Sequence, residues 1–144
     1  MRKAVLLVLL AAACSTGSLR PANIVKPEAS VEALGTPFFG SMSDEAAIDL
    51  GVTITNRAAE TLQVRSIRVS SQGMTQYVIR SINQRFHDDI APGETKRLIV
   101  PATAVSSIER LQPSEPLLLR IEVTFETKSG KIFREVYSGQ RIIF

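Results

Sequence analysis

"LLLRIEVTFE", residues 117–126, carries apolar side chains at Leu117, Leu119, Ile121, Val123 and Phe125, with Arg120, Glu122, Thr124 and Glu126 between them. A period of two sends successive side chains to opposite faces of an extended chain, whereas a helix would spread them around its circumference. The segment is a strand with one dry and one wet face, and such a strand belongs in an antiparallel sheet covered on one side. Downstream, Lys128-Ser129-Gly130-Lys131 turns the chain into Ile132 to Tyr137 and completes a hairpin. Upstream, residues 103–111, TAVSSIERL, change to helical spacing: Ala104, Ile108 and Leu111 share a face, Thr103 is placed to cap and Pro113 to stop. A short helix is predicted there.

Further upstream the period of two returns. Leu98-Ile99-Val100 follows the turn Ala91-Pro92-Gly93-Glu94, in which Pro sets φ and Gly permits a positive φ. Ile48, Leu50, Val52 and Ile54 alternate with Asp49, Gly51, Thr53 and Thr55, and Asn56-Arg57-Ala58-Ala59 breaks the run as a turn. In Leu62, Val64, Ile67 and Val69 the parity slips by one, which predicts a β-bulge near Arg65-Ser66. Residues 76–82 and 86–90 supply two more strands. About seven short strands at turn spacings of about 8–12 residues predict an all-β fold. The expected domain is an antiparallel immunoglobulin- or fibronectin-III-like β-sandwich with one short helix, spanning residues 31–144.

The layout resembles the type 2 late-embryogenesis-abundant domain, also called the water-stress and hypersensitive-response domain. The residues that carry the resemblance are the Pro27–Leu34 lead-in, "DLGVTITN" ending at Asn56, "LQVRSIRV", the "IAPGET" turn and "LIVPATAVSSIERL". Where that family has Asn-Pro-Asn after its first long strand, this chain has Asn56-Arg57-Ala58. The resemblance implies a sandwich fold.

The other end of the chain speaks of an address. Met1-Arg2-Lys3 is a basic start, and Ala4 to Ala13 is uninterruptedly apolar. That run is about half the roughly twenty residues a spanning helix needs, and it matches a signal-peptide core, so residues 1–13 are read as a signal peptide. Ala11-Ala12-Ala13 directly before Cys14 resembles the lipobox of bacterial lipoproteins, although leucine is usual where Ala11 stands and Leu10 lies one position further back. The resemblance implies a diacylglycerol on the Cys14 sulfur and cleavage between Ala13 and Cys14. Ala11 to Ala13 also fit the small-x-small rule of ordinary signal peptidase, so a soluble periplasmic or secreted form stays open. Cys14 is the one cysteine of the chain. A free thiol is a liability in an oxidising compartment and a lipidated one is not, which favours the anchor. Ser15 is not the aspartate that retains Gram-negative lipoproteins in the inner membrane, which implies the outer membrane, facing the periplasm. Residues 14–30, with Pro21 and Pro27 among small and polar neighbours, read as a flexible tether, with Ile24-Val25 or Val31 to Leu34 as the alternative start of an edge strand.

Charge excludes one class of partner. The chain carries 17 basic and 14 acidic residues, with a sequence pI of about 9.4. Without Arg2 and Lys3 the remainder holds 15 basic against 14 acidic residues, a net charge of +1, scattered rather than clustered. A nucleic-acid-binding face is not expected.

Catalytic and metal constellations are sparse as well. His87 is the single histidine and sits in "FHDDI" with Asp88 and Asp89, but neighbours on a strand point to opposite faces and cannot easily share an ion. No serine lies in a Gly-x-Ser-x-Gly elbow, and Gly35 to Gly40 encloses Pro37, Phe38 and Phe39 rather than a phosphate loop. The expectation is no enzyme, no metal and no cofactor. Two surfaces invite a protein partner. Phe38-Phe39 is either an exposed anchor or a plug at one end of the sandwich. The final strand, running to Arg141-Ile142-Ile143-Phe144, presents a sheet edge open to β-augmentation. The sequence therefore points to a lipid-anchored interaction module or accessory subunit, with a carrier of a small ligand or lipid as the alternative.

Overall fold

The computed structural model describes residues 19–39, 44–73, 77–106 and 116–142. The strands are β1 (Glu28–Ala33), β2 (Glu45–Thr55), β3 (Leu62–Ser71), β4 (Tyr77–Ile79), β5 (Ile82–Ile90), β6 (Thr95–Ser106), β7 (Leu117–Thr127) and β8 (Ile132–Ile142). They form two four-stranded antiparallel sheets, in the orders β1-β2-β6-β4 and β5-β3-β7-β8. The dry faces read from the sequence meet between them. Leu50, Val52 and Ile54 of β2 and Val100 of β6 are sealed against Leu62, Val64, Ile67 and Val69 of β3 and Leu119, Ile121, Val123 and Phe125 of β7. Phe125 and Phe133 sit opposite each other on β7 and β8, with ring centroids 5.4 Å apart.

Three local readings change in the fold. The helix predicted over 103–111 is strand in its first part, because β6 continues to Ser106; residues 107–111 lie outside the described residues. Ala102 and Ala104 extend the inward row of Leu98 and Val100, and β2 and β4 pair with this stretch from either side. Two cross-strand partners outweigh a helical spacing that alanine satisfies in either conformation. Pro101 is tolerated within β6 for a topological reason. Arg80 N donates to Thr103 O, so Thr103 and, two residues earlier, Pro101 face the side of β4. That strand ends at Ile79, and the missing N–H of Pro101 leaves no bond unmade.

The second change divides residues 76–82. The chain leaves one sheet as β4, crosses at Arg80-Ser81 and enters the other as β5, so eight strands stand among the described residues where about seven were expected. The third concerns the lead-in. Residues 28–30, assigned by composition to the tether, open β1, where Glu28 pairs with Thr55.

The bulge expected near Arg65 is present and is deeper than one strand. Between Val64 and Ser66, Arg65 is one residue extra relative to β7, while β5 spends two residues, Phe86 and His87, on the same step. Two extra residues restore parity, so β5 keeps its alternation unbroken while that of β3 slips. The 128–131 turn closes with Gly130 N donating to Thr127 O at 2.9 Å and Gly130 at φ +82°, a conformation that favours glycine.

Candidate functional site

Strand register separates the two ends of the sandwich. Glu28, Thr55 and Thr95 mark one end of the first sheet, and Leu62, Ile90, Thr127 and Ile132 the same end of the second. This end receives the N-terminal segment. The other end is marked by Ala33, Glu45, Tyr77, Ser106, Leu117 and Ile142. Cys14 and Ala13, the residues of the predicted lipid attachment and cleavage, lie outside the described residues.

The segment just after them is bolted to the sandwich. Pro21, Ile24 and Pro27 turn inward at every third residue, Ile24 reaching the core. Ile24 N donates to Pro21 O at 3.0 Å, closing a turn that Pro21 initiates. Glu135 of β8 is only 8% exposed and lies on the inward side of its strand, where an unpaired carboxylate would be costly. Each oxygen has its own cation: Arg20 Nη1 stands 2.7 Å from Oε1 and Lys26 Nζ 3.7 Å from Oε2. Two residues along, the Tyr137 hydroxyl donates to the Pro27 carbonyl at 2.6 Å, and Lys26 Nζ lies 5.0 Å from the centre of the Tyr137 ring. The spacing of Pro21, Ile24 and Pro27 was the one sequence signal for this clamp. Its receptor on β8 lies more than a hundred residues away.

Burial, followed by the negative charge of Glu135, holds the Tyr137 hydroxyl in its protonated form well above its ordinary range near 10. The unfolded chain releases that proton above about pH 10 while the folded chain keeps it, so the folded state loses stability as pH rises further. Tyr137→Phe is expected to flatten the fall of unfolding free energy above pH 10, read by urea titrations at pH 8, 10 and 11. An unchanged slope in the variant means that another group carries the alkaline sensitivity.

Asn56 organises the same end. It is 1% exposed, and its Nδ2 donates to Glu60 O at 2.8 Å and Ile90 O at 2.9 Å while Oδ1 accepts from Ala58 N at 2.9 Å. Its own backbone exchanges bonds with Glu94 and Gly93 of the Ala91–Glu94 turn. One side chain thus ties the β2–β3 turn to the end of β5, across the two sheets.

The residues weighed for metal chemistry do not converge. His87 and Asp89 are exposed on the outer side of β5, whereas Asp88 points the other way and meets Lys96 Nζ at 2.8 Å. Asp89 accepts from Gln63 Nε2 at 3.0 Å. Among the described residues no group of three His, Cys, Asp or Glu side chains is placed to hold an ion. A depression of about 360 Å³ lies at the edge of the outer face of β3 and β7, open and lined by Thr61, Gln63, Asp89, Glu126, Thr127 and Lys128.

The pair Phe38-Phe39 divides. Phe39 stacks on Tyr77 at 5.4 Å and packs against the core rim, and Phe38 is 87% exposed at the end opposite the clamp. The final strand is a sheet edge, as is β5. Both edges are broken: β5 at Phe86-His87, and β8 where Ser138 and Gly139 together oppose Arg120. Gly139 N is moreover taken by Gln72 Oε1 at 2.6 Å. Such bulges shorten the ladder that a foreign strand can join.

No protein-family model and no curated protein matches the chain. Among solved structures it is similar to target SoR45 of the Northeast Structural Genomics Consortium, at 12% identity and a TM-score of 0.54, over 83% of this chain and 86% of that one. A Bordetella pertussis protein provisionally called ApaA aligns at 18% identity and a TM-score of 0.49, over 83% and 97% of the two chains. A Bacteroides uniformis β-glucuronidase aligns at 18% identity and a TM-score of 0.39, over 76% of this chain and 12% of that enzyme. The first of these likenesses concerns the fold alone: an all-β, two-sheet, sandwich-like architecture.

Proposed function

We propose that the protein is a non-enzymatic component of the bacterial cell envelope, anchored by lipid at Cys14, whose sandwich acts as an interaction module or accessory subunit. The location that goes with this reading is the outer membrane, facing the periplasm. The observation that carries it is the clamp. A chain that leaves a lipidated Cys14 is caught six residues later by Glu135, so the anchor joins the domain at a defined place on β8. The immunoglobulin-like type is supported by β1-β2-β6 packed on β3-β7-β8, the arrangement of strands ABE on CFG, with β4 and β5 as additions in a chain order of their own. A carrier has less support. The space between the sheets is filled by side chains such as Leu50, Ile54, Ile67, Ile121 and Phe125, all without solvent exposure.

Replacing Cys14 by Ser tests the anchor. Cells grown with an alkyne fatty acid are expected to label the native chain and not the variant, and the variant is expected to move from the membrane to the soluble fraction. A variant that stays with the membrane overturns the lipid-anchor reading.

A further inference from the structure

We infer that β6, where it runs on beyond β4, is a docking edge for an extended segment of a partner protein. That segment alternates apolar and polar side chains and joins the first sheet as a strand over the inner side of β5. This deepens the interaction-module reading above, on which it rests, and does not need the lipid anchor. The backbone carries the first argument. Even-numbered residues of β6 turn their N–H and C=O groups to β2, as Ser106 N does in donating to Asp44 O. Odd-numbered residues turn theirs to the other side, where β4 pairs with Ala104 to Ser106 and Arg80 N reaches Thr103 O. Beyond Thr103 the row continues with no backbone partner among the described residues: the C=O of Pro101 and both groups of Ile99 and Arg97. The ladder with β2 runs from Thr95 to Val105 without a register shift, so residues 97–101 offer about 17 Å of regular edge. The edges of β5 and β8 are bulged by contrast, and β1 lies alongside β8.

The side chains say what kind of strand fits. With β1 against β8, β4 and β5 stand at the other side of the sandwich, and the three residues of β4 leave most of β5 uncovered. Ile82 and Phe86, on the inner side of β5, pack against the core yet stay half-buried, whereas the inward residues of β3 are sealed. Ile99, on the outer face of β6 beside the open backbone, is 54% exposed. Charge is the usual deterrent at such an edge, and here it is turned away. The Arg97 side chain lies over Gly51 of β2, where a Cβ would come within 3.3 Å of its Nε, and pairs with Glu32 of β1. An added strand therefore sets its inward side chains over Ile82 and Phe86 and an outward one beside Ile99, and apolar side chains suit these places. A second copy does not fit. Antiparallel pairing about a two-fold at Ile99 would set Glu94 and Gly93 of one copy opposite Ala104 and Val105 of the other, where β4 already sits.

Amide exchange of the full-length protein reads the edge without any variant. The Arg97 and Ile99 amides are expected to exchange about a hundredfold faster than those of Leu98 and Val100, which β2 holds. Equal protection of all four means that the chain covers this edge itself, and overturns the proposal. Photocrosslinking in intact cells reads the partner, with benzoylphenylalanine in place of Ile99, Phe38 or Arg134. Position 99 is expected to give an adduct with another protein, whose crosslinked segment, identified by mass spectrometry, alternates apolar and polar residues. Arg97→Pro removes an N–H that faces away from β2, as Pro101 already lacks one, and is expected to lower that adduct about five-fold with the Leu98 and Val100 amides still protected. Arg97→Gln, which loses the pair with Glu32 and keeps the N–H, is expected to retain it. An adduct that the folded proline variant keeps overturns the proposal, as does an adduct with a second copy of this chain or a segment without the alternation. Adducts from positions 38 or 134 alone overturn the docking edge and leave the interaction-module reading standing. No adduct from any of the three positions overturns both.

Discussion

Phe125→Ala is expected to lower the unfolding free energy by about 3–5 kcal/mol, the range for deleting a buried phenylalanine ring. For a domain of this size that corresponds to a midpoint about 10–15 °C lower. Phe125 is fully buried on the dry face of β7 and stacks on Phe133, its register partner on β8, at an interplanar angle of 26°. Removing the ring leaves a void that the two rigid strands cannot close, since their backbones are held by the ladder on both sides of the gap. Phe133→Ala is expected to cost a similar amount. The double variant is expected to cost less than the two together, because both deletions open one cavity and the second removes an already weakened contact. Urea titration of the four proteins measures the cycle, with slopes of the transitions expected to agree. Strict additivity would show that the stack contributes nothing beyond area.

The second large effect is expected at Asn56. Asn56→Ala is expected to cost about 2–4 kcal/mol, since it removes three hydrogen bonds, two of them buried, and strands the Ile90 carbonyl and the Ala58 N–H away from water. Asn56→Asp separates this from mere loss of packing. It keeps the acceptor for Ala58 N but sets an anionic oxygen against the carbonyls of Glu60 and Ile90. That environment raises the pKa of the introduced carboxyl above its unfolded value, so the variant is expected to be most stable in acid and to weaken as pH rises from 4 to 7. The native protein lacks that trend at this position. A pH-independent deficit in the aspartate variant means that shape, not polarity, holds the corner.

The legible and illegible parts of the fold differ in range. The alternation in residues 48–55 and 117–126, the turns at Ala91–Glu94 and Lys128–Lys131, and the slip at Arg65 were all readable, because each depends on neighbours within a few positions. The stretch 103–106 was misread because Ala104 suits a helix face and a strand face equally; the flanking β2 and β4 decide, and their contact with β6 has no local signature. The crossing at Arg80-Ser81 was hidden for the same reason, since nothing in residues 76–82 says which of two sheets each half will join.

The candidate site shows the same division more sharply. Ala11 to Cys14 supports the lipid-anchor reading by itself, because a processing signal is read as a linear string. The fate of the segment that follows was not in its composition. Two prolines among polar residues describe a tether and a strap equally well, and only Glu135 and Tyr137, brought alongside by the β7–β8 hairpin, turn one into the other.

By itself, then, the sequence determined that the chain makes amphipathic strands joined by tight turns, since periodicity and turn chemistry are local properties. The tertiary structure alone decided which strands share a sheet, that the edges are broken by bulges, and that the chain after residue 19 is locked to β8. Those outcomes depend on pairings such as Arg20 with Glu135, 115 positions apart, whose ion pair forms only when the fold has excluded water from the carboxylate.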